Sequence, residues 1–242
     1  YNILKALIET IRQHSPKSKI ILGGGIASTE EELILNNLEP DFLVVGEGEK
    51  TFNLLLETIE NGTDYRNVTG ICFKENNRII KTNSTPLIQN LDELPFPDYE
   101  GFEYGYYLDN HYKVNHSHQN LVGANSRVGS INSSRDCMLK CTFCFRIIGH
   151  VVKKAGYRMR KIEMVSDEIK FLIRNYGVNI ISFMDDMVAV DEKRIDEVCK
   201  LMSSLNLPWK CQLRVPVVTE KILMKMKESG CYCVSYGFES GS

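Results

Sequence analysis

Apolar positions along the chain change period several times, and the changes mark out two α/β series. Residues 2–14 carry Leu4, Leu7, Ile8 and Ile11 on one face, the spacing of a helix half-buried against a core. Lys19-Ile20-Ile21-Leu22 is a short apolar run that predicts a buried strand, and it ends in Gly23-Gly24-Gly25. Thr29 with Glu32 three residues on has the form of a capping box opening the next helix. Asp41-Phe42-Leu43-Val44-Val45 predicts a second buried strand. Gly46-Glu47-Gly48-Glu49 follows, then a helix around 50–60 bearing Phe52, Leu55 and Ile59. An α-β-α-β-α series of this kind predicts a parallel sheet with helices on its faces. Residues 70–81 predict a hairpin turning at Asn76-Asn77.

The pattern then loses its period. Residues 86–112 are rich in Pro, Asp and aromatics, as in Leu94-Pro95-Phe96-Pro97-Asp98-Tyr99. They predict an ordered linker, because the aromatics need a surface to pack on. A second series starts near Val128: strand 128–133, helix 163–176, strand 179–184, helix 191–204, strand 209–215, helix 219–229 and strand 231–238. Asp191 is well placed to cap the second of these helices. Four strands alternating with three helices suit half of a (β/α) barrel. In such a barrel reactive groups lie at the carboxyl ends of the strands, which here carry a cysteine-rich loop, Asp185-Asp186, Arg214 and Glu239. In strand 209–215, Trp209, Cys211, Leu213 and Val215 share one face, and Lys210, Gln212 and Arg214 the other. The polar face predicts a polar or ligand-filled lumen. In strand 231–238, Tyr232, Val234, Tyr236 and Phe238 form a bulky face, and Cys231, Cys233, Ser235, Gly237 and Glu239 a small one.

Composition narrows the class. With 242 residues, 43% of them apolar and 25% charged, the chain is long enough for one large or two small globular domains. A net charge of −2 supplies no basic field to attract nucleic acid or an anionic membrane. No apolar run approaches the ~18 residues that span a bilayer, and no secretory signal is visible. Eight cysteines without a disulfide framework predict a reducing compartment, hence a cytoplasmic protein. Both ends read as cut: Tyr1 enters an amphipathic pattern directly, and Ser242 follows a strand with no closing element. An internal piece of a longer protein is expected.

Cys137, Cys141 and Cys144 carry the sharpest chemistry, with Phe143 just before the third. Three thiolates on one loop can hold three irons of a cubane cluster and leave the fourth without a protein ligand, an open position where reactions occur. The alternative is structural zinc, which usually pairs two C-x2-C hooks. Only Cys141–Cys144 forms such a hook, and no second one follows. Cys72, Cys199, Cys211, Cys231 and Cys233 are scattered through apolar segments, where Cys is an ordinary small buried residue. For Asp185-Asp186 the alternative is helix capping, for Arg214 a salt bridge, and for Glu239 a loop position. Lys153, Lys154, Arg158, Arg160 and Lys161 form a basic run read as a solvated face, and His150 is an ordinary loop residue.

The C-x3-C-x2-C run with its aromatic resembles the radical SAM superfamily. That resemblance implies a [4Fe–4S] cluster on Cys137, Cys141 and Cys144, with S-adenosylmethionine on the fourth iron and Phe143 near its adenine. It further implies that Asp185 and Asp186 stand where a GGE-type motif holds the methionine amino group. Arg214 would pair with the methionine carboxylate, and Gly237, Glu239 and Ser240, within Gly237-Phe238-Glu239-Ser240-Gly241-Ser242, would lie beside the ribose. Arg135-Asp136 departs from the commoner Arg-Gly and is expected to reshape the loop entry. Upstream, Gly23-Gly24-Gly25 and the run from Asp41 to Phe52, with Gly46 and Glu47, resemble the cobalamin-binding domain fused to many of these enzymes. The segment that in some members supplies an axial histidine to cobalt would lie before Tyr1, and His14 is in the wrong place to replace it.

The fold class implied is α/β: the carboxyl-terminal part of a Rossmann- or flavodoxin-like cobalamin domain (residues 1–83), a linker (84–125), and the first half of a radical SAM partial (β/α) barrel (126–242). The implied enzyme cleaves S-adenosylmethionine to a 5′-deoxyadenosyl radical and transfers a methyl group to, or rearranges, an unactivated carbon. It would use an external electron donor and a small-molecule, lipid, tetrapyrrole or natural-product substrate. The alternatives are radical chemistry without cobalamin, such as methylthiolation, and a metal-stabilised binding module.

Overall fold

The computed structural model describes residues 1–114, 125–139, 141, 143–144, 156–215 and 218–238. They fall into two compact units, residues 1–88 with 141, 143 and 144, and residues 89–114 with 125–139, 156–215 and 218–238.

The first unit opens with α1 (Asn2–His14), which buries Ile8 and packs Leu4 and Ile11 on the same core. Leu7, expected on that face, lies at its edge and stays exposed. The strands β1 (Ile21–Leu22) and β2 (Phe42–Val44) are parallel, with Ile21 opposite Phe42. Between them run α2 (Gly25–Thr29) and α3 (Glu31–Asn37). The capping box is not formed. Thr29 is the last residue of α2, and its hydroxyl donates to the Gly25 carbonyl instead. Helix α4 (Gly48–Asn61) follows β2 and ends in a left-handed Gly62. The hairpin β3 (Ile71–Glu75) and β4 (Arg78–Lys81) turns through Asn76 and Asn77 at φ 47° and 64°, the conformation that asparagine tolerates best after glycine. It joins the same sheet antiparallel, in the order β1-β2-β3-β4, so the sheet is mixed rather than purely parallel.

Asp41 fastens the lower edge of this sheet. Its carboxylate accepts from the Ile20 amide at 2.9 Å, from Arg12 at 2.7 Å and from Lys19 at 3.1 Å. Burial alone would raise its pKa, but these donors outweigh burial and hold it below the usual carboxylate range. A folded pKa below the unfolded one stabilises the fold above the ordinary carboxyl pKa, and that contribution fades as pH falls through the depressed value. Asp41→Ala is therefore expected to lose on the order of 1–2 kcal/mol at neutral pH, mostly through the stranded Ile20 amide. The deficit relative to wild type should shrink in urea unfolding at pH 3.

In the second unit, β5 (Val128–Ile131), β8 (Ile180–Phe183), β9 (Trp209–Leu213) and β10 (Cys231–Tyr236) form one all-parallel sheet in sequential order. The short antiparallel pair β6 (Ser134–Arg135) and β7 (Arg158–Met159) stands apart from it. Helices α6 (Ile162–Tyr176), α7 (Glu192–Leu205) and α8 (Glu220–Glu228) connect the strands. Asp191 caps α7, accepting from the Arg194 amide at 2.9 Å, as its position predicts. One face of the sheet packs on these helices through Ile131, Ile181, Phe183, Trp209, Cys211 and Leu213. Gly129 allows the close approach, since a Cβ there would stand 2.8 Å from Val178.

The alternation in β9 holds as expected, except that Val215 lies beyond the strand and is exposed. In β10 it breaks. A register shift between Cys231 and Cys233 sets Cys231 beside Trp209, on the helix side, and Cys233 beside Lys210, on the open side. A bulge of this kind flips the faces of the residues on either side of it, which no period-2 reading anticipates.

The linker region contains α5 (Tyr104–Val114), where the sequence shows no helical stripe. Tyr99, Tyr104, Phe171 and Tyr176 pack together, and Tyr99 donates to the buried Glu168 at 2.5 Å. Burial and then this carboxylate push the Tyr99 hydroxyl far above the ordinary phenol pKa.

Candidate functional site

The cysteine loop leaves the carboxyl end of β5 and returns through β7. Its root is a closed ribbon, Ser134 opposite Met159 and Arg135 opposite Arg158. Asp136, the residue before Cys137, has φ 70°. Glycine adopts that left-handed backbone without penalty, which gives a physical reason for the commoner Arg-Gly at this place. Asp136 instead holds it with a buried ion pair, Arg158 Nη2 to Oδ2 at 2.6 Å and Nε to the same oxygen at 3.1 Å. Arg160 pairs with Glu168. Arg158 and Arg160 are thus not part of a solvated basic face. Lys161 is exposed, and Lys153, Lys154 and His150 lie outside the described residues.

Cys137 and Cys141 are half-buried and Cys144 is exposed; none is in a disulfide. The Cys144 amide donates to the Cys141 carbonyl at 3.2 Å. Phe143 between them is exposed. By contrast Cys72, Cys199 and Cys211 are buried in the two cores. Among the described residues no three His, Cys, Asp or Glu side chains converge closely enough to grip a metal ion. The donor set still fits a cubane cluster: three solvent-reachable thiols within eight residues, on a loop whose root is anchored.

At the end of β8 the two aspartates part company. Asp186 is exposed, whereas Asp185 is only 2% exposed. Asp185 Oδ1 accepts from the Ser133 hydroxyl at 3.1 Å and from the Ser134 hydroxyl, while Oδ2 has no partner. Burial raises its pKa, and the serine donors offset that only in part. Arg194 Nη2 donates to the carbonyls of Ser133 (3.5 Å) and Arg160 (3.0 Å). Tyr157 donates to the Met187 carbonyl at 2.9 Å, and burial lifts its pKa to about 12. Ser133, Ser134 and Arg194 escaped the sequence reading, because serines before a loop and an arginine in a helix carry no pattern of their own. Arg214 stands half-buried at the end of β9, and Gly237 is exposed just past β10. Glu239 and Ser240 lie outside the described residues.

In the first unit the glycine turns follow the carboxyl ends of β1 and β2. Gly24 and Gly46 both have φ 85°, and a Cβ on Gly24 would meet nothing within 4 Å, so the backbone there is open to a ligand. Gly23 and Gly25 flank it. Ser28, also missed in sequence, ties the two turns together: its hydroxyl donates to the Gly24 carbonyl at 2.9 Å and accepts from the Gly46 amide at 3.0 Å. Glu47 Oε2 accepts from the Ile88 amide at 2.8 Å, which makes it a tether for the chain leaving the unit.

No family model matches the sequence. Among curated proteins, the uncharacterized methyltransferase PH0819 of Pyrococcus horikoshii is 30% identical over 226 residues, covering 92% of this chain and 46% of that protein. In sequence the chain is similar to this methyltransferase, and in fold to radical S-adenosylmethionine enzymes. Cytidylyl-2-hydroxyethylphosphonate methyltransferase of Streptomyces wedmorensis is 26% identical over 250 residues, covering 94% of the chain and 45% of that enzyme. Among solved structures, the radical S-adenosylmethionine methyltransferase TsrM from Kitasatospora setae superposes with a TM-score of 0.70 at 17% identity, over 97% of this chain and 44% of that one. That likeness is one of fold. The chain spans less than half the length of these relatives. No helix among the described residues is long and apolar enough to cross a membrane.

Proposed function

We propose that the full-length protein is a cobalamin-dependent radical SAM methyltransferase acting on an unactivated carbon of a small molecule. One observation carries this reading: a loop of three thiols leaves the carboxyl end of the first strand of a parallel sheet whose other strand ends present Asp186 and Arg214. The methyltransferase relatives support it. When bound, the reduced cluster and S-adenosylmethionine supply a 5′-deoxyadenosyl radical, and cobalamin supplies a methyl group.

The chain's own residues bind and orient. Cys137, Cys141 and Cys144 would hold three irons and leave the fourth for the amino and carboxylate groups of S-adenosylmethionine. Arg214, a planar guanidinium, suits the carboxylate in a bidentate pair. Asp186, exposed beside it in sequence order of the strand ends, suits the amino group. Phe143 offers an exposed ring for adenine, and the exposed Gly237, with Glu239 and Ser240 close after it in sequence, would suit the ribose. The open backbone of Gly23, Gly24 and Gly25, joined through Ser28 to Gly46, would take the tail of a cobalamin.

The test is anaerobic incubation of the full-length protein with S-adenosylmethionine and a low-potential reductant. 5′-Deoxyadenosine is the expected product, with iron and sulfide near four each per chain on the cluster stoichiometry. Cobalt bound in addition supports the methyl-transfer reading. Zinc held by four side chains, with no iron taken up, would overturn it.

A further inference from the structure

Asp185 sits where the family resemblance expects a partner for the amino group of S-adenosylmethionine, yet both its burial and its bonds point elsewhere. The side chain is buried, and its Oδ2 is shielded from solvent as well as unpartnered. A ligand arriving from solvent cannot reach that oxygen without displacing protein. Oδ1 is taken up by two hydroxyls, Ser133 and Ser134, which lie just upstream of Cys137. Ser134 is also the first residue of the ribbon that closes the loop root, and the Ser133 carbonyl accepts from the Arg160 amide at 2.9 Å, on the returning strand side. Arg194, from α7, grips the same Ser133 carbonyl and the Arg160 carbonyl with one nitrogen. Four chain segments therefore meet at one buried knot: the exit of β5, the return from β7, the exit of β8 and the first turn of α7.

We propose that Asp185 is a positioning residue, which through Ser133 and Ser134 clamps the root of the cysteine loop and fixes Cys137 at the mouth of the sheet, and that it makes no contact with S-adenosylmethionine. The proposal rests on the assignment of the cluster to Cys137, Cys141 and Cys144. It asks of Asp185 an acceptor oxygen, not a charge. An asparagine keeps that oxygen; an alanine removes it, strands the buried Ser133 hydroxyl and leaves the Ser134 hydroxyl only the Met187 carbonyl at 3.3 Å. A carboxylate gripping an ammonium group would behave in the opposite way, since asparagine removes the charge on which such a contact depends.

The experiment uses the full-length protein in four forms: wild type, Asp185→Asn, Asp185→Ala, and the double variant Ser133→Ala with Ser134→Ala. The last serves where Asp185→Ala does not fold. Each is loaded anaerobically with iron and sulfide, then read for iron release to a chelator and for the Kd of S-adenosylmethionine. Partners that orient metal ligands from outside typically change metal affinity by 10–100-fold when removed, so iron release should quicken roughly tenfold in Asp185→Ala and in the double variant. Asp185→Asn should stay within about twofold of wild type in both readouts, the conservative change rescuing the clamp. In the cluster-free protein, the backbone amides of Arg135 and Arg160 should exchange hydrogen faster in Asp185→Ala than in Asp185→Asn. A tenfold loss of S-adenosylmethionine affinity in Asp185→Asn with iron release unchanged would assign Asp185 to the cofactor instead and overturn the proposal. Equal exchange in Asp185→Ala and wild type would overturn it as well. A wild type that takes up no iron defeats the cluster assignment, while the exchange measurement still decides whether the clamp exists.

Discussion

Cys141→Ala in the full-length protein is expected to abolish cluster retention and to cut 5′-deoxyadenosine formation by at least about a hundredfold. The bound is conservative. Removing a partner outside the ligand sphere already costs metal sites about 10–100-fold, and Cys141 is proposed as a direct ligand. Two thiolates cannot hold three irons, and the loop offers no further Cys. Cys137→Ala and Cys144→Ala should behave alike. Cys72→Ala is the control. That thiol is buried in the first unit, where burial and then the nearby Glu31 push its pKa up to about 11, so it stays protonated and a poor ligand. Its loss should leave iron content unchanged. The measurement is iron and sulfide per chain after anaerobic reconstitution, alongside product yield. Full iron retention in Cys141→Ala would remove that residue from the cluster.

Trp209→Ala should destabilise the second unit by about 3–5 kcal/mol, the range for deleting a large buried aromatic. Trp209 is 1% exposed and stands edge-on to Phe183, with ring centroids 5.8 Å apart. Its indole Nε1 donates to the Ser229 carbonyl at 3.1 Å and lies 3.2 Å from the Ser229 hydroxyl. Truncation therefore opens a cavity between the sheet and α8 and leaves buried acceptors unpaired at the turn that feeds β10. A small domain is stable by only about 5–15 kcal/mol, so the loss is a large fraction of the whole. Urea unfolding followed by circular dichroism would show a lower midpoint. A change below 1 kcal/mol would mean that this core is far more plastic than its packing implies.

Elements with a strong local signal were legible in the sequence. The helices α1, α4, α6, α7 and α8 and the strands of both sheets follow from apolar spacing, because burying one face of a helix or strand imposes a period on the chain itself. The Asn76-Asn77 turn and the Asp191 cap are likewise local, each needing only one or two residues of the right chemistry. The cysteine triplet was legible because its three thiols lie within eight residues, where type and spacing show without the fold.

Other features could not be read this way, for identifiable reasons. Thr29 and Glu32 have the spacing of a capping box, but the chain reaches them already helical, and the threonine hydroxyl finds the Gly25 carbonyl first. Helix α5 has no apolar stripe; tertiary contacts of Tyr104 with Tyr99 and Tyr176 hold it. The bulge in β10 sets Cys231 and Cys233, which alternation puts on one face, on opposite faces of the sheet.

Sequence alone determined which chemistry each unit has available: three thiols close in sequence, paired aspartates, an arginine and glycine turns, all following strands. Tertiary structure alone decided how those groups divide their work. It buried Asp185 against Ser133 and Ser134 while leaving Asp186 exposed, turned Glu47 to the Ile88 amide, and used Ser28 to join two glycine turns. The physical reason is that a side chain's role depends on whether its polar atoms are claimed by partners far away in sequence, and covalent order carries no record of those partners until the chain has folded.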